Sequence, residues 1–171
     1  LVKIVILGAG AVGSTLASLL SQENDLVVVD HNSSELHRLE EEADIKTLLG
    51  EVSYPNILVN AGIQEADMVV AVTGSDETNI VACMIAKVLN KSVKTIARVR
   101  EISYLKGKTK EAMDSGEIPV DIHISPEQLI TEHIQGLIEI PGSLQVMEFG
   151  QGKLNLVAVR AVEGGPMIGH E

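Results

Sequence analysis

The segment Gly8-Ala9-Gly10-Ala11-Val12-Gly13 stands between an apolar run and a stretch of helical spacing, and that position constrains the fold more than any other feature. Val2–Leu7 is short, apolar and stops at glycine, which reads as a strand buried on both faces. Ala11–Ser21 carries Val12, Leu16, Leu19 and Leu20 on one side, a helical repeat. A second strand, Leu26–Asp30, then ends in an acid 17 residues after Gly13. Each residue type has a physical task in this order. Gly8 permits a tight turn, Gly10 lets a pyrophosphate approach the backbone, and Gly13 lets helix and strand pack closely. The helix N-terminus offers N–H groups and a partial positive charge to phosphates. Asp30 is placed to accept hydrogen bonds from adenosine ribose hydroxyls. The competing reading, a glycine turn that serves packing alone, is disfavoured by the complete context. An acid at position 30 repels a 2′-phosphate and no arginine follows within three residues, so NAD(H) is favoured over NADP(H). The same acid suits the ribose of ATP or ADP, and the loop leaves these nucleotides open.

The alternation continues. Ser34–Ala43 reads as a charged helix with Leu36, Leu39 and Ala43 inward, capped by Asn32-Ser33-Ser34. Ile45–Leu49 is a third strand, Pro55–Ala61 a short helix ending at Gly62, and Met68–Val72 a fourth strand. Asp76–Leu89 is helical and nearly apolar all round from Ile80, so both of its sides should be covered. Lys94–Val99 is a fifth strand and Val120–Ile124 a sixth, joined by a partly helical connection with a turn at Ser115-Gly116. This order predicts an α/β, Rossmann-type doubly wound parallel sheet. Ser125-Pro126-Glu127-Gln128 then starts a helix with Leu129, Ile130, His133, Ile134, Leu137 and Ile138 on one face, ending at Pro141-Gly142. Leu144–Phe149 and Leu154–Val162 read as strands around a turn at Gly150–Gly152. The domain boundary is therefore expected near 138, with 1–138 the nucleotide-binding domain and 139–171 the truncated start of a small C-terminal α+β regulatory domain.

Composition removes several function classes. The 13 basic and 24 acidic residues give a net charge of −11, which argues against a nucleic-acid partner. Three aromatics, Tyr54, Tyr104 and Phe149, do not make a base-stacking platform. No apolar run approaches the roughly 20 residues needed to span a bilayer, and Leu1–Leu7 lacks the layout of a signal peptide. A lone cysteine agrees with a reducing, cytoplasmic setting.

Further along, Ala61-Gly62-Ile63-Gln64-Glu65-Ala66-Asp67, then Ala71-Val72-Thr73-Gly74-Ser75-Asp76-Glu77-Thr78-Asn79, then Ile96-Ala97-Arg98-Val99-Arg100 closely resemble the Trk potassium-uptake family. The peripheral subunit of that family carries a cytosolic nucleotide-binding domain also called RCK or KTN. The likeness runs from residue 2 to about 138, and the tail through Gly164-Gly165-Pro166-Met167-Ile168-Gly169 looks like the start of the small domain that follows in the family. The resemblance implies binding of NAD(H) or adenine nucleotides and assembly into homodimers or rings. It also implies gating of a separate potassium-translocating membrane protein from its cytoplasmic face, with no membrane insertion of this chain. Carried over by position, Gly8, Ala9, Gly10, Ala11, Val12 and Gly13 would hold phosphates and Asp30 the ribose, with His31 counted in the same site. Thr73, Gly74 and Ser75 would line the loop after the fourth strand, and Arg98 would reach phosphate or a neighbouring subunit. Where the family usually shows Gly-Asp-Ala after the third strand, this chain has Gly50-Glu51-Val52. Glu51 can still accept from an adenine amino group, but it is longer, and Val52 is bulkier.

Other candidates carry less. Tyr104-Leu105-Lys106-Gly107-Lys108 matches the Tyr-x-x-x-Lys of short-chain dehydrogenases, but Gly107 interrupts the helix such a pair needs. Lys106, Lys108 and Lys110 read as a solvated edge. Cys83 lies inside an apolar helix and reads as packing, while His133 lies on an apolar stripe and reads as a core or interface histidine. Asp76 and Asn79 frame a helix start, where capping and ligand contact compete. The leading expectation is a regulatory nucleotide sensor, not an enzyme. The alternative is the NAD-binding half of a dehydrogenase, which would need an acid or base facing the nicotinamide.

Overall fold

The computed structural model describes residues 1–42, 44–149 and 154–161. They divide into two compact units, Leu1–Ser125 and Pro126–Glu171. In the first unit β1 (Lys3–Leu7), β2 (Asp25–Asp30), β3 (Lys46–Leu49), β4 (Met68–Ala71), β5 (Lys94–Arg98) and β6 (Ile122–Ile124) form one sheet in the order β3-β2-β1-β4-β5-β6. Every pairing is parallel, as the doubly wound expectation requires. The order reverses between β1 and β4, and a crevice opens there at the carboxyl ends of the strands.

Alternation along β1 explains why the sheet is buried on both faces. Ile4 and Ile6 join Ala17, Leu26, Val28, Leu36 and Leu39 on the side covered by α1 (Ala11–Leu20) and α2 (Ser33–Glu42). Val5 and Leu7 join Leu58, Ile63, Val69, Ile80 and Cys83 on the side covered by α3 (Pro55–Asn60) and α4 (Asp76–Leu89). Successive side chains point to opposite faces, so a strand apolar at every position needs helices on both. Asn32 caps α2, its side-chain oxygen accepting from the Ser34 N–H at 3.0 Å. Gly62, at φ +83°, ends the α3 segment as expected.

One expectation about α4 needs correction. Its inner face is buried through Ile80, Ala82, Cys83 and Ala86, but Val81 and Met84 are each 41% exposed and Val88 80%. One sheet covers one side of a helix, so the outer stripe stays open within the chain. The blurred connection after β5 resolves into α5 (Gly107–Asp114), followed by a turn at Gly116 with φ +80°. β6 is then tied to β5 by Asp121, whose carboxylate accepts from the Thr95 N–H at 2.7 Å and pairs with Lys87 at 2.7 Å. Burial pushes the Asp121 carboxyl up, but the Lys87 ammonium and the Thr95 donors outweigh this and hold it below the ordinary value.

The second unit contains α6 (Pro126–Glu139) and an antiparallel pair, β7 (Ser143–Phe149) and β8 (Leu154–Val159). α6 belongs with β7, against which Gly136 fits so closely that a methyl group there would sit 3.2 Å from the Val146 side chain. The boundary between compact units therefore precedes α6, whereas the sequence boundary near 138 follows it. α6 has no buried residue and His133 is exposed, so of the two readings of His133, core or interface, the core one does not hold among the described residues. The expected turn at Gly150–Gly152 and the Gly164–Gly169 motif lie outside the described residues.

Candidate functional site

The crevice is built from backbone first. Gly8 adopts φ +109°, a conformation that L side chains rarely take, and turns the chain out of β1. Gly13 follows as the close-packing glycine. A Cβ at Gly13 would lie 1.8 Å from the Gly8 carbonyl oxygen, so helix and turn can meet only there without a side chain. Gly10 differs. A Cβ there meets nothing within 4 Å and would point into open crevice. No side chain caps α1 at Gly10, so the first-turn N–H groups are presented to the same space.

Asp30, at the end of β2, is only 8% exposed. Its Oδ2 accepts from the Ala9 N–H at 2.6 Å and its Oδ1 from the Asn32 N–H at 2.8 Å. His31 Nδ1 lies 3.3 Å from the same Oδ1. The carboxylate is thus locked against the glycine loop, and each oxygen keeps further lone-pair capacity toward the crevice. The Asp30 carbonyl also accepts from the Gly50 N–H at 2.9 Å, which sets the start of the Gly50-Glu51-Val52 turn. Gly50 packs closely there, since a Cβ would fall 2.6 Å from Ile57 Cδ1 and would make that side chain move.

The opposite wall comes from β4, β5 and the first turn of α4. Ser75 caps α4, its hydroxyl accepting from the Thr78 N–H at 3.1 Å. Thr73, Gly74 and Ser75 line the crevice with Thr78 and Arg98. The enclosed space is about 510 Å³, within the range of small-molecule sites.

Of the residues singled out from sequence, Gly8, Gly10, Ala11, Val12, Asp30, His31, Glu51, Val52, Thr73, Gly74, Ser75 and Arg98 all line this one cleft. Ala9 and Gly13 do not: Ala9 is fully buried and donates to Asp30, and Gly13 packs against Gly8. Asn32, Glu35, Val72 and Thr78 line it too and were missed. Asn32 was legible only as a cap, and Thr78 stands between Asp76 and Asn79, the two helix-start residues already weighed for ligand contact. Asp76 and Asn79 lie outside the lining, hydrogen-bonded to loop backbone instead.

The remaining candidates fall away from the cleft. Tyr104 packs against the core from a turn before α5, and Gly107, with φ +56°, separates it from Lys108 on the helix. Lys106, Lys108 and Lys110 are exposed. Cys83 is fully buried, and burial pushes its thiol up to about 12.

The family model for the TrkA-N domain matches residues 4–125. The Trk system potassium uptake protein TrkA of Halomonas elongata is 49% identical over 170 residues, covering 99% of this chain and 37% of that protein. The protein of the same name from Vibrio alginolyticus is 48% identical, covering 98% and 37%. The chain thus spans little more than a third of the length of these relatives. Among solved structures, the TrkA-N domain of the inner membrane protein ybaL from Escherichia coli superposes with TM-score 0.67 at 20% identity, covering 80% of this chain and 96% of that one. The GsuK RCK domain superposes with TM-score 0.65 at 21% identity, covering 81% and 28%. These two likenesses concern the fold. Together with the 48% and 49% identity to the Trk uptake proteins across nearly all of this chain, the matched domain places it in the TrkA-N family.

Proposed function

We propose that this chain is a nucleotide-sensing domain of a potassium-uptake system. It takes NAD(H), ADP or ATP into the cleft between β1 and β4 and passes occupancy to a potassium-translocating membrane partner. The observation that carries the reading is the joint geometry of Gly10 and Asp30. One leaves open space above an uncapped helix terminus, and the other holds a buried carboxylate against the same loop. The first suits a pyrophosphate and the second a ribose diol. Gly8-Ala9-Gly10-Ala11-Val12-Gly13 forms the phosphate cradle, Asp30 and His31 flank the ribose, and Glu51 and Val52 border the adenine. Thr73, Gly74, Ser75 and Arg98 face the distal phosphates. Structures of GsuK bound to NAD and to ADP support both ligand classes on this fold.

The chain acts as a regulator and not as an enzyme. Toward β4 and β5 the cleft presents hydroxyls, backbone and Arg98, a set suited to binding phosphate, which supports this reading. A peripheral position at the cytoplasmic face belongs to the same proposal; no helix among the described residues is long and apolar enough to cross a membrane. The test is potassium flux through the membrane partner in vesicles, with the full-length protein added and each nucleotide supplied in turn. Flux that changes with nucleotide supports the proposal. Flux indifferent to every nucleotide, or sustained hydride transfer by the protein alone, contradicts it.

A further inference from the structure

Asn79 has no solvent exposure, although it stands in the first turns of α4 beside the cleft. A buried primary amide costs free energy unless its donors and acceptor are matched. Here they are matched to two separate loops. Its Oδ1 accepts from the Thr73 N–H at 2.9 Å and from the Thr73 hydroxyl at 2.7 Å. Its Nδ2 donates to the Arg98 carbonyl at 2.9 Å. Thr73 lies in the loop after β4 and Arg98 ends β5; both line the cleft, and Asn79 does not. One turn earlier Asp76, also buried, accepts from the Arg100 N–H at 2.8 Å and the Glu101 N–H at 2.7 Å. The Arg100 guanidinium in turn donates to the Gly74 carbonyl. The same two loops are therefore tied twice, once through Asn79 and once through Arg100, whose backbone Asp76 holds. An apolar residue at 79 would fill the core as well, so packing does not account for the choice of an amide.

We propose that Asn79 is a positioning residue for the nucleotide site. It fixes the spacing of the two loops that wall the cleft, so that the Thr73-Gly74-Ser75 backbone and Arg98 meet one ligand together. This rests on the reading that the cleft takes a nucleotide, and it adds a residue that never touches that ligand. The role demands a donor and an acceptor side by side on a short stem. Aspartic acid has the same shape, and its neutral form can accept from Thr73 and donate to the Arg98 carbonyl. Its ionised form has acceptors only and turns a negative charge on that carbonyl. The charged side chains on the adjoining segments are Asp76 and Glu77 on α4, and Arg98, Arg100 and Glu101 at and after the end of β5. Asn79→Asp therefore makes the tie depend on protonation.

The experiment titrates NAD⁺ and ADP into the full-length protein by calorimetry at about pH 6 and about pH 8, bracketing the shift that burial imposes on a carboxyl. Melting temperatures are recorded at both. Val93→Ala, fully buried before the amino end of β5 and far from the carboxyl-end cleft, serves as a packing control. Asn79→Asp is expected to stay folded, to bind about tenfold or more weakly than wild type at the higher pH, and to return to within about threefold at the lower. Val93→Ala should stay within about twofold throughout. Affinity unchanged at both pH values, lost equally at both, or lost only because the variant melts would each overturn the role. Wild-type protein that binds neither nucleotide would remove the cleft reading and this inference with it, whereas the other failures concern Asn79 alone.

Discussion

At the scale of single residues, two glycines of one motif carry unrelated duties. Gly13 belongs to the fold: a methyl group there would have to occupy the Gly8 carbonyl, whose oxygen is 1.8 Å away and is backbone that cannot swing aside. Gly10 belongs to the ligand, since a methyl group there touches no protein atom within 4 Å and its φ of −66° suits any residue. Gly13→Ala should therefore cost about 3 kcal/mol or more of folding stability, at or above the upper end of ordinary overpacking. Gly10→Ala should stay within about 0.5 kcal/mol of wild type. Chemical denaturation of both variants checks this, and equal losses would mean that the motif is wholly structural. The motif and its acid were legible because each residue type answers one steric or electrostatic demand close in sequence. Asn79 was only half legible. Its helix-start position is visible in the chain, but its partners lie 6 and 19 residues away, and nothing local distinguishes a cap from a tie between loops.

At the scale of elements, β1 to β5 could be read because an apolar run bounded by turn residues allows little else. β6 was read two residues too long, as Val120–Ile124, and α5 was legible only as a partly helical connection, because an exposed helix leaves almost no periodicity. What holds β6 is electrostatic and non-local: Asp121 reaches Thr95 and Lys87 across the sheet edge. Its carboxyl is held below the ordinary aspartate value of 3.8, so the sign of the pH effect follows. The ionised form is favoured in the folded protein. Its contribution is fully present above that ordinary value and is lost as pH falls through the lower, folded one. Asp121 is partly solvated, so the contribution is modest. Asp121→Asn should thus lower the melting temperature at neutral pH and flatten the part of the acid-unfolding curve that lies below about pH 4. Identical acid-unfolding curves for variant and wild type would show that the tie adds nothing.

At the scale of the whole molecule, apolar surface remains open on two helices among the described residues. The outer stripe of α4 exposes Val81, Met84 and Val88, and α6 exposes Leu129, Ile130, Ile134 and Ile138. Patches of this kind mark interfaces more often than free surface. A homodimer or larger ring is the assembly we expect, and sedimentation of the full-length protein at micromolar concentration tests it. A single monomeric species with and without nucleotide would leave gating no subunit angle to change, since a ligand shifts a conformational equilibrium only by its differential affinity for the states. The net charge of −11 sharpens the central question, because a polyanionic ligand must enter a polyanionic protein. It can do so only if the uncapped α1 terminus, the Gly10 opening and Arg98 supply local compensation.

Calorimetric titration of NAD⁺ and ADP into wild type, Asp30→Ala and Gly10→Val asks this directly. Wild type should bind at least one of them. Asp30→Ala should lose about 1.5–3 kcal/mol for either, the worth of a charged hydrogen bond. Gly10→Val, whose side chain would fill the space meant for pyrophosphate, should lose more while remaining folded. Unchanged affinity in both variants would place the nucleotide elsewhere and contradict the account.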